Sequence, residues 1–227
     1  MLYDVTAVKA NIRNREGKRV FYQGEHDRLT PSARDYLAQE RITVLPASQA
    51  KPDRYRLPGG GYIDTKPEHM THLNGDLLVP KTHPRIAFRG TIDTLEAEIL
   101  LCQVACSAKV KEQLGQILQL VRNIIRYDVL EEPAQDVKLC GLTEAEIRTR
   151  SHRPQEYYGI PHFMPSAEDK AVVLQLNRVR CAARQAELAG VAAFTDAQGN
   201  PTRTDILRLL NRISSMLYIL MIQEKAS

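Results

Sequence analysis

The 227-residue chain has no tryptophan, only four cysteines and no block of like charge. It also lacks any apolar run near the ~20 residues that a membrane-spanning helix needs. Without a hydrophobic signal segment, the four thiols fit a reducing compartment, so a soluble cytoplasmic protein that contacts no membrane is expected. Neither Cys-x-x-Cys nor His-Glu-x-x-His occurs, which leaves a dedicated transition-metal site without a motif. The 31 basic and 27 acidic residues give a net charge of only +4 and are interspersed. That argues against a general nucleic-acid binder and leaves room for a local anion pocket.

What is present is mostly helical in period. Hydrophobic residues make up 43% and charged residues 26%, the balance of a globular protein with one main domain and an N-terminal piece. Residues 1–45 read as a strand–helix–strand module, with Arg19-Val-Phe-Tyr22 and Arg41-Ile-Thr-Val-Leu45 as strands. Between them Thr30 caps a short helix that has Pro31 at its first position. Residues 46–70 gather Pro46, Pro52, Pro58, Gly59, Gly60, Gly61 and Pro67 and read as a linker or lid. The glycine triplet has no preceding strand and no following Gly-Lys-Ser/Thr, so it is no phosphate loop.

From Pro84 the apolar spacing turns helical. Ile92, Leu95, Ile99 and Val104 mark one core helix, and Val110 to Ile125 a second after a break near Ser107. Thr143 and Glu146 have capping-box spacing for a short helix. Ser166 with Asp169, and Thr202 with Asp205, resemble caps of two more long helices. The pattern predicts four long helices and one short one over residues 71–227.

The polar stretch 71–81 offers Asn74, Gly75, Asp76 and Lys81, followed by Arg85 and Arg89. This is first a turn sequence, and second the composition of an anion site ahead of a helix start. Asn177, Arg180, Arg184 and Glu187 share one face of the helix that begins near Ala171. Arg180 and Arg184, one turn apart, can both reach a polyanion, or can form a solvated surface pair. Asp93 on the first core helix is expected to be buried against Arg180 or Arg184, or else to face water. Asn211 could meet a ligand between helices. Arg122 and Arg126, with Asp128 following, read as an inter-helix or inter-subunit salt network. Cys102 and Cys106 read as small core residues; His69, His72 and Asp76 are the other conceivable metal group.

Several ordered motifs resemble the ethanolamine-utilization type of ATP:corrinoid (cobalamin) adenosyltransferase over nearly the whole chain. They are Leu29-Thr-Pro-Ser-Ala-Arg34, Thr71-His-Leu-x-x-Asp76, Leu78-Val-x-Lys81, Pro84-Arg-x-x-Phe-Arg89 and Leu210-Asn-Arg-x-Ser-Ser215. Pro84-Arg85 with Gly90-Thr-Ile-Asp-x-Leu95, the Arg180/Arg184 helix and Leu207-x-x-Leu-Asn-Arg-Ile-Ser214 resemble the propanediol-utilization type more distantly.

The resemblance implies a mainly α fold, a five-helix bundle with the small N-terminal α/β module, and usually a homotrimer with ATP and corrinoid bound between neighbouring subunits. It implies transfer of the 5′-deoxyadenosyl group of ATP to cobalt(I) of cobalamin, with a reductase and microcompartment proteins as further partners. Carried over, Asn74, Gly75, Asp76 and Lys81 hold triphosphate with Mg²⁺, for which Asp76 is the one protein ligand considered. Arg180 and Arg184 neutralise it, Asp93 pairs with Arg180, and Asn211 contacts ATP. Arg85, from the composition of the stretch rather than the resemblance, is a further cation toward the phosphates; Phe163, in His162-Phe-Met-Pro165, is by the resemblance the ring on the lower face of the corrin. Two features depart from the pattern: residues 46–70 hold no cysteine where many members carry a metal motif, and Ala182 and Ala183 stand where the distant type has charges. The missing cysteines and the separate N-terminal module motivate a rival expectation, a non-catalytic corrinoid or nucleotide carrier, or a microcompartment assembly protein docked through residues 1–45.

Overall fold

The computed structural model describes residues 1–15, 17–50 and 55–227. It divides into two compact units, Met1–His83 and Pro84–Ser227.

The first unit holds β1 (Leu2–Tyr3), α1 (Val5–Asn11), β2 (Arg13–Arg15), β3 (Lys18–Gln23), β4 (Arg28–Leu29), α2 (Pro31–Gln39), β5 (Thr43–Pro46), β6 (Tyr55–Arg56), β7 (Tyr62–Ile63), β8 (Met70–Asn74) and β9 (Leu77–Pro80). Among the described residues, β1 pairs with β4, and seven strands form one mixed sheet in the order β5-β3-β2-β7-β6-β9-β8. The Thr30 hydroxyl accepts from the Ala33 N–H at 3.2 Å, and Pro31 opens α2. Val8, Phe21, Leu29, Ala33, Leu37 and Ile42 form the core of this unit.

The expected boundaries at residues 45 and 70 give way to a single one after His83. The strands at 55–56 and 62–63 join the N-terminal sheet because that is where their backbone groups find partners. Gly61 makes the approach possible: it sits at φ +82°, and a Cβ there would lie 2.8 Å from the Ile12 carbonyl oxygen. Residues 51–54, within the expected linker, lie outside the described residues. The stretch 71–81, expected as a polar loop, is the β8–β9 hairpin, with Leu78 and Val79 fully buried. Only its tip keeps the turn chemistry read from Asn-Gly-Asp, with Gly75 at φ +50°.

The second unit holds α3 (Pro84–Ala105), α4 (Ala108–Val129), β10 (Lys138–Leu139), β11 (Leu142–Thr143), α5 (Glu144–His152), α6 (Pro154–Tyr158), α7 (Ala171–Ala193) and α8 (Thr204–Ala226). Thus four long helices carry two short ones, rather than one. The second short helix begins at Pro154, whose fixed φ suits a first helical position. Ser107 caps α4, and Thr143 with Glu146 forms the reciprocal capping box of α5. The two other expected caps do not form. Asp169 accepts from the Ser166 N–H in a turn ahead of α7, and Asp205 accepts from the Ala134 N–H. Neither α7 nor α8 has a side-chain cap.

The bundle core is aliphatic, including Ile92, Ile99, Leu114, Ile117, Leu176, Leu209, Ile213 and Leu217. The C-terminal half of α7 packs closely on α8 and α3 because its buried positions are small: Ala182, Ala183, Ala186 and Gly190. This accounts for the two alanines where charges were expected, since a charge at either position would enter the core.

Candidate active site

One face of α7 and one of α8 open onto a cavity of about 730 Å³ lying wholly in the second unit, within the size range of small-molecule sites. Asn177, Arg180 and Arg184 line it from α7; Asn211, Ser214, Ser215, Tyr218 and Met221 line it from α8. Each set recurs at three- and four-residue steps, so the helical period alone aligns it. The segment between α6 and α7 supplies His162, Phe163, Met164 and Pro165, and the end of α5 supplies Ser151 and His152.

Four sequence-predicted residues thus meet in one cavity: Arg180, Arg184, Asn211 and Phe163. Asn211 donates through Nδ2 to Glu187 Oε1 at 2.9 Å, which fixes the amide against α7. Arg184 is exposed. Arg180 is half-buried, with its guanidinium carbon 5.4 Å from the centre of the Tyr218 ring. Two converging cations, an amide and two serines among aromatic rings suit a ligand with an anionic end and a flat apolar end. Next to this wall Arg212 is buried, and burial, together with Arg148, lowers its pKa.

Tyr218 is the residue that reading the sequence missed. His162 stacks on its ring at 5.8 Å and 7°, and Phe163 at 5.9 Å and 28°. His162 Nε2 lies 3.3 Å from the His152 carbonyl oxygen, which can only accept. In the neutral ring Nε2 therefore carries the proton, and Nδ1 accepts from the Tyr218 hydroxyl at 3.1 Å. That hydroxyl in turn accepts from the Phe163 N–H at 3.3 Å. The sequence did hold a signal: Tyr218 lies seven residues after Asn211, on the same face of α8. Beyond this network, Lys225 stands 4.8 Å from the Phe163 ring centre and pairs with Asp169, whose pKa that bond lowers.

Two expectations fail. Arg85 is not a free phosphate cation: its Nε bonds Asp128 Oδ1 at 2.8 Å and its Nη2 the Asp128 carbonyl oxygen at 2.7 Å. Arg89 Nε takes Asp128 Oδ2 at 2.7 Å. Asp128 is fully buried, so both arginines are held to keep its charge compensated. Asp93, expected to be buried against Arg180, is exposed and makes no ion pair among the described residues. The helical period explains this: Ile92 and Leu95 take the core positions and turn Asp93 outward.

Asn74, Gly75, Asp76 and Lys81 lie at the tip and end of the β8–β9 hairpin in the first unit. Asp76 faces Arg56 at 3.6 Å, with both side chains about half exposed, and Lys81 is exposed. His72 donates through Nδ1 to the Gly75 carbonyl oxygen at 3.0 Å. Cys102 is buried in the core, and burial pushes its thiol up to about 11. Arg122 bonds Glu96 and Arg126 bonds Glu132, whereas Asp128, read with these two arginines as one salt network, pairs with Arg85 and Arg89.

A helical bundle with a basic, aromatic-walled cleft between two helices fits an anionic ligand with a flat end, and comparison with known proteins gives its class. The family model for cobalamin adenosyltransferase matches residues 61–224, and the chain belongs to that family. It is 29% identical to the corrinoid adenosyltransferase EutT of Salmonella typhimurium (strain LT2) over 96% of this chain and 90% of that one. Against EutT of Escherichia coli (strain K12) the identity is 28%, over 95% and 89%. The corrinoid adenosyltransferase PduO of Citrobacter freundii is 29% identical over 70% of this chain and 48% of its own. In structure, a variant PduO-type ATP:corrinoid adenosyltransferase from Lactobacillus reuteri, complexed with cobalamin and ATP, shares the fold. Its TM-score is 0.53 at 18% identity, covering 70% of this chain and 88% of that one.

Proposed function

We propose that this chain transfers the 5′-deoxyadenosyl group of ATP to the cobalt(I) of reduced cobalamin, in an ethanolamine-utilization setting. Cobalt(I) supplies the electron pair that forms the cobalt–carbon bond at C5′. The C5′–O bond breaks, triphosphate leaves with its electron pair, and cobalt ends formally as cobalt(III). Because the nucleophile is the metal itself, the protein needs only to align the reactants, compensate the leaving group and exclude water. The observation that carries this reading is the convergence of Arg180, Arg184 and Asn211 on one cavity beside Phe163.

In this reading Arg180 and Arg184 hold the polyphosphate, Asn211, fixed by Glu187, contacts ATP, and Phe163 lies under the corrin. Asn74, Gly75, Asp76 and Lys81 bind triphosphate with Mg²⁺. The exposed Asp76 carboxylate is a hard oxygen donor suited to an ion that also takes phosphate oxygens. Asp93 pairs with Arg180 of a neighbouring copy in a homotrimer; its exposure, with no ion pair among the described residues, supports that assignment.

The test is to incubate the chain with ATP, Mg²⁺ and chemically reduced cobalamin and to follow the adenosylcobalamin spectrum with triphosphate release. Both should appear together. Arg184→Ala and Lys81→Ala should each weaken ATP use at least tenfold, the loss of about one charge-assisted contact. An inactive wild type beside a working control enzyme would sink the reading, whereas unchanged kinetics in either variant would remove that residue alone.

A further inference from the structure

We propose that Tyr218 is a positioning residue that couples the grip on triphosphate to the seat of the corrin-facing ring. The inference rests on the roles given above to Arg180 and Phe163. Its basis is that one side chain touches both halves of the cavity by different means. The ring of Tyr218 faces the Arg180 guanidinium at 5.4 Å and stacks with Phe163 at 5.9 Å and His162 at 5.8 Å. Its hydroxyl bonds in the other direction: it accepts from the Phe163 N–H and donates to His162 Nδ1.

The directions of these bonds matter. Running from the Phe163 N–H through Tyr218 and His162 to the His152 carbonyl, the chain of donors and acceptors is complete and has one sense. It ties the irregular 159–170 segment to α8 and α5 at the residues that flank the cavity. Phe163 has no secondary structure to hold it, so its backbone position depends on this chain together with the Asp169–Lys225 pair. The ring of Tyr218, by contrast, presents its electron-rich face to Arg180 and limits where that cation can swing. The hydroxyl thus serves the corrin side alone, while the ring reaches both Arg180 and Phe163.

That division makes the proposal separable by two substitutions in the full chain. Tyr218→Phe keeps the ring and removes the hydroxyl. It should leave MgATP affinity, measured by calorimetry without cobalamin, within about twofold. The same variant, given MgATP and cobalt(II) cobalamin, should show about tenfold less of the spectral signature of four-coordinate cobalt(II), the form that a ring seated on the lower face leaves by excluding the axial ligand; with a one-electron chemical reductant supplied, kcat from cobalt(II) should fall in step. Tyr218→Leu removes the ring as well, and should weaken MgATP binding about fivefold in addition.

An unchanged cobalt(II) signature in Tyr218→Phe would overturn the proposal, as would an equal loss of ATP affinity and cobalt(II) signature, which is the mark of a general packing defect. Wild type provides the separation from the functional reading. If it makes no adenosylcobalamin, that reading falls and takes this one with it; if it turns over and Tyr218→Phe matches it, only the role of Tyr218 falls.

Discussion

Asp128 shows how a single buried charge redistributes the roles of its neighbours. Its carboxylate is fully buried, and each oxygen takes one arginine Nε, from Arg85 and from Arg89 one helical turn later on α3. From sequence, Arg85 and Arg89 follow a polar turn and resemble cations waiting for phosphate; nothing in the spacing shows that a carboxylate some forty residues on will claim both. Replacing Asp128 with Ala removes the buried carboxylate that two largely buried guanidinium groups share, and Glu131, 3.6 Å from Arg85 and largely exposed, is a poor substitute, so stability should fall by about 3–5 kcal/mol. Asp128→Asn, which keeps one acceptor oxygen, should lose less. Denaturant titration followed by far-ultraviolet circular dichroism measures both, and a loss below about 1 kcal/mol in Asp128→Ala would show that Arg85 and Arg89 find water or other partners instead.

At the scale of elements, the site depends on how closely α7 and α8 approach, and Gly190 sets that distance at one end. A Cβ there would lie 3.2 Å from Leu207 Cδ2 and 3.3 Å from both Leu210 Cδ1 and Phe88 Cε2. These are ends of side chains that can yield slightly, and alanine brings about 1 kcal/mol of helix propensity, so Gly190→Ala should be close to neutral. Gly190→Leu cannot be absorbed and should cost at least 1–3 kcal/mol, read as a lower midpoint in thermal unfolding. If Gly190→Leu unfolds at the wild-type midpoint, the helices are not set by this contact. The helices themselves were legible because the apolar period repeats over six or more turns, and the α2 and α5 caps were legible because their bonds are local. The β6 and β7 strands were not: two-residue strands carry no period, and their pairing is decided by β2 and β9, which are distant in sequence. The site followed the same rule. Arg180, Arg184 and Asn211 were readable as faces of long helices, while Tyr218 required knowing that an irregular segment folds back over α8.

At the scale of the whole molecule, the question is whether one chain completes its own site. Asp93 carries a charge that helix geometry turns away from the core of its own chain, while Arg180 reaches the cavity with its guanidinium over the Tyr218 ring and, among the described residues, no ion pair. If the partner of Arg180 is Asp93 of another copy, the two substitutions Asp93→Ala and Arg180→Ala damage the same site from opposite chains. Each variant alone should lose most activity. Mixed after brief dissociation and reassembly, they form some interfaces in which Asp93, from the Arg180→Ala chain, meets Arg180, from the Asp93→Ala chain. Activity should then rise well above the mean of the two parents, in proportion to those restored interfaces, and light scattering should report the same oligomer throughout. Were the pair to lie within one chain, every copy in the mixture would carry one lesion in its own site and no mixing ratio could restore turnover. A flat response across mixing ratios would therefore exclude the shared site, even if the oligomer itself is intact.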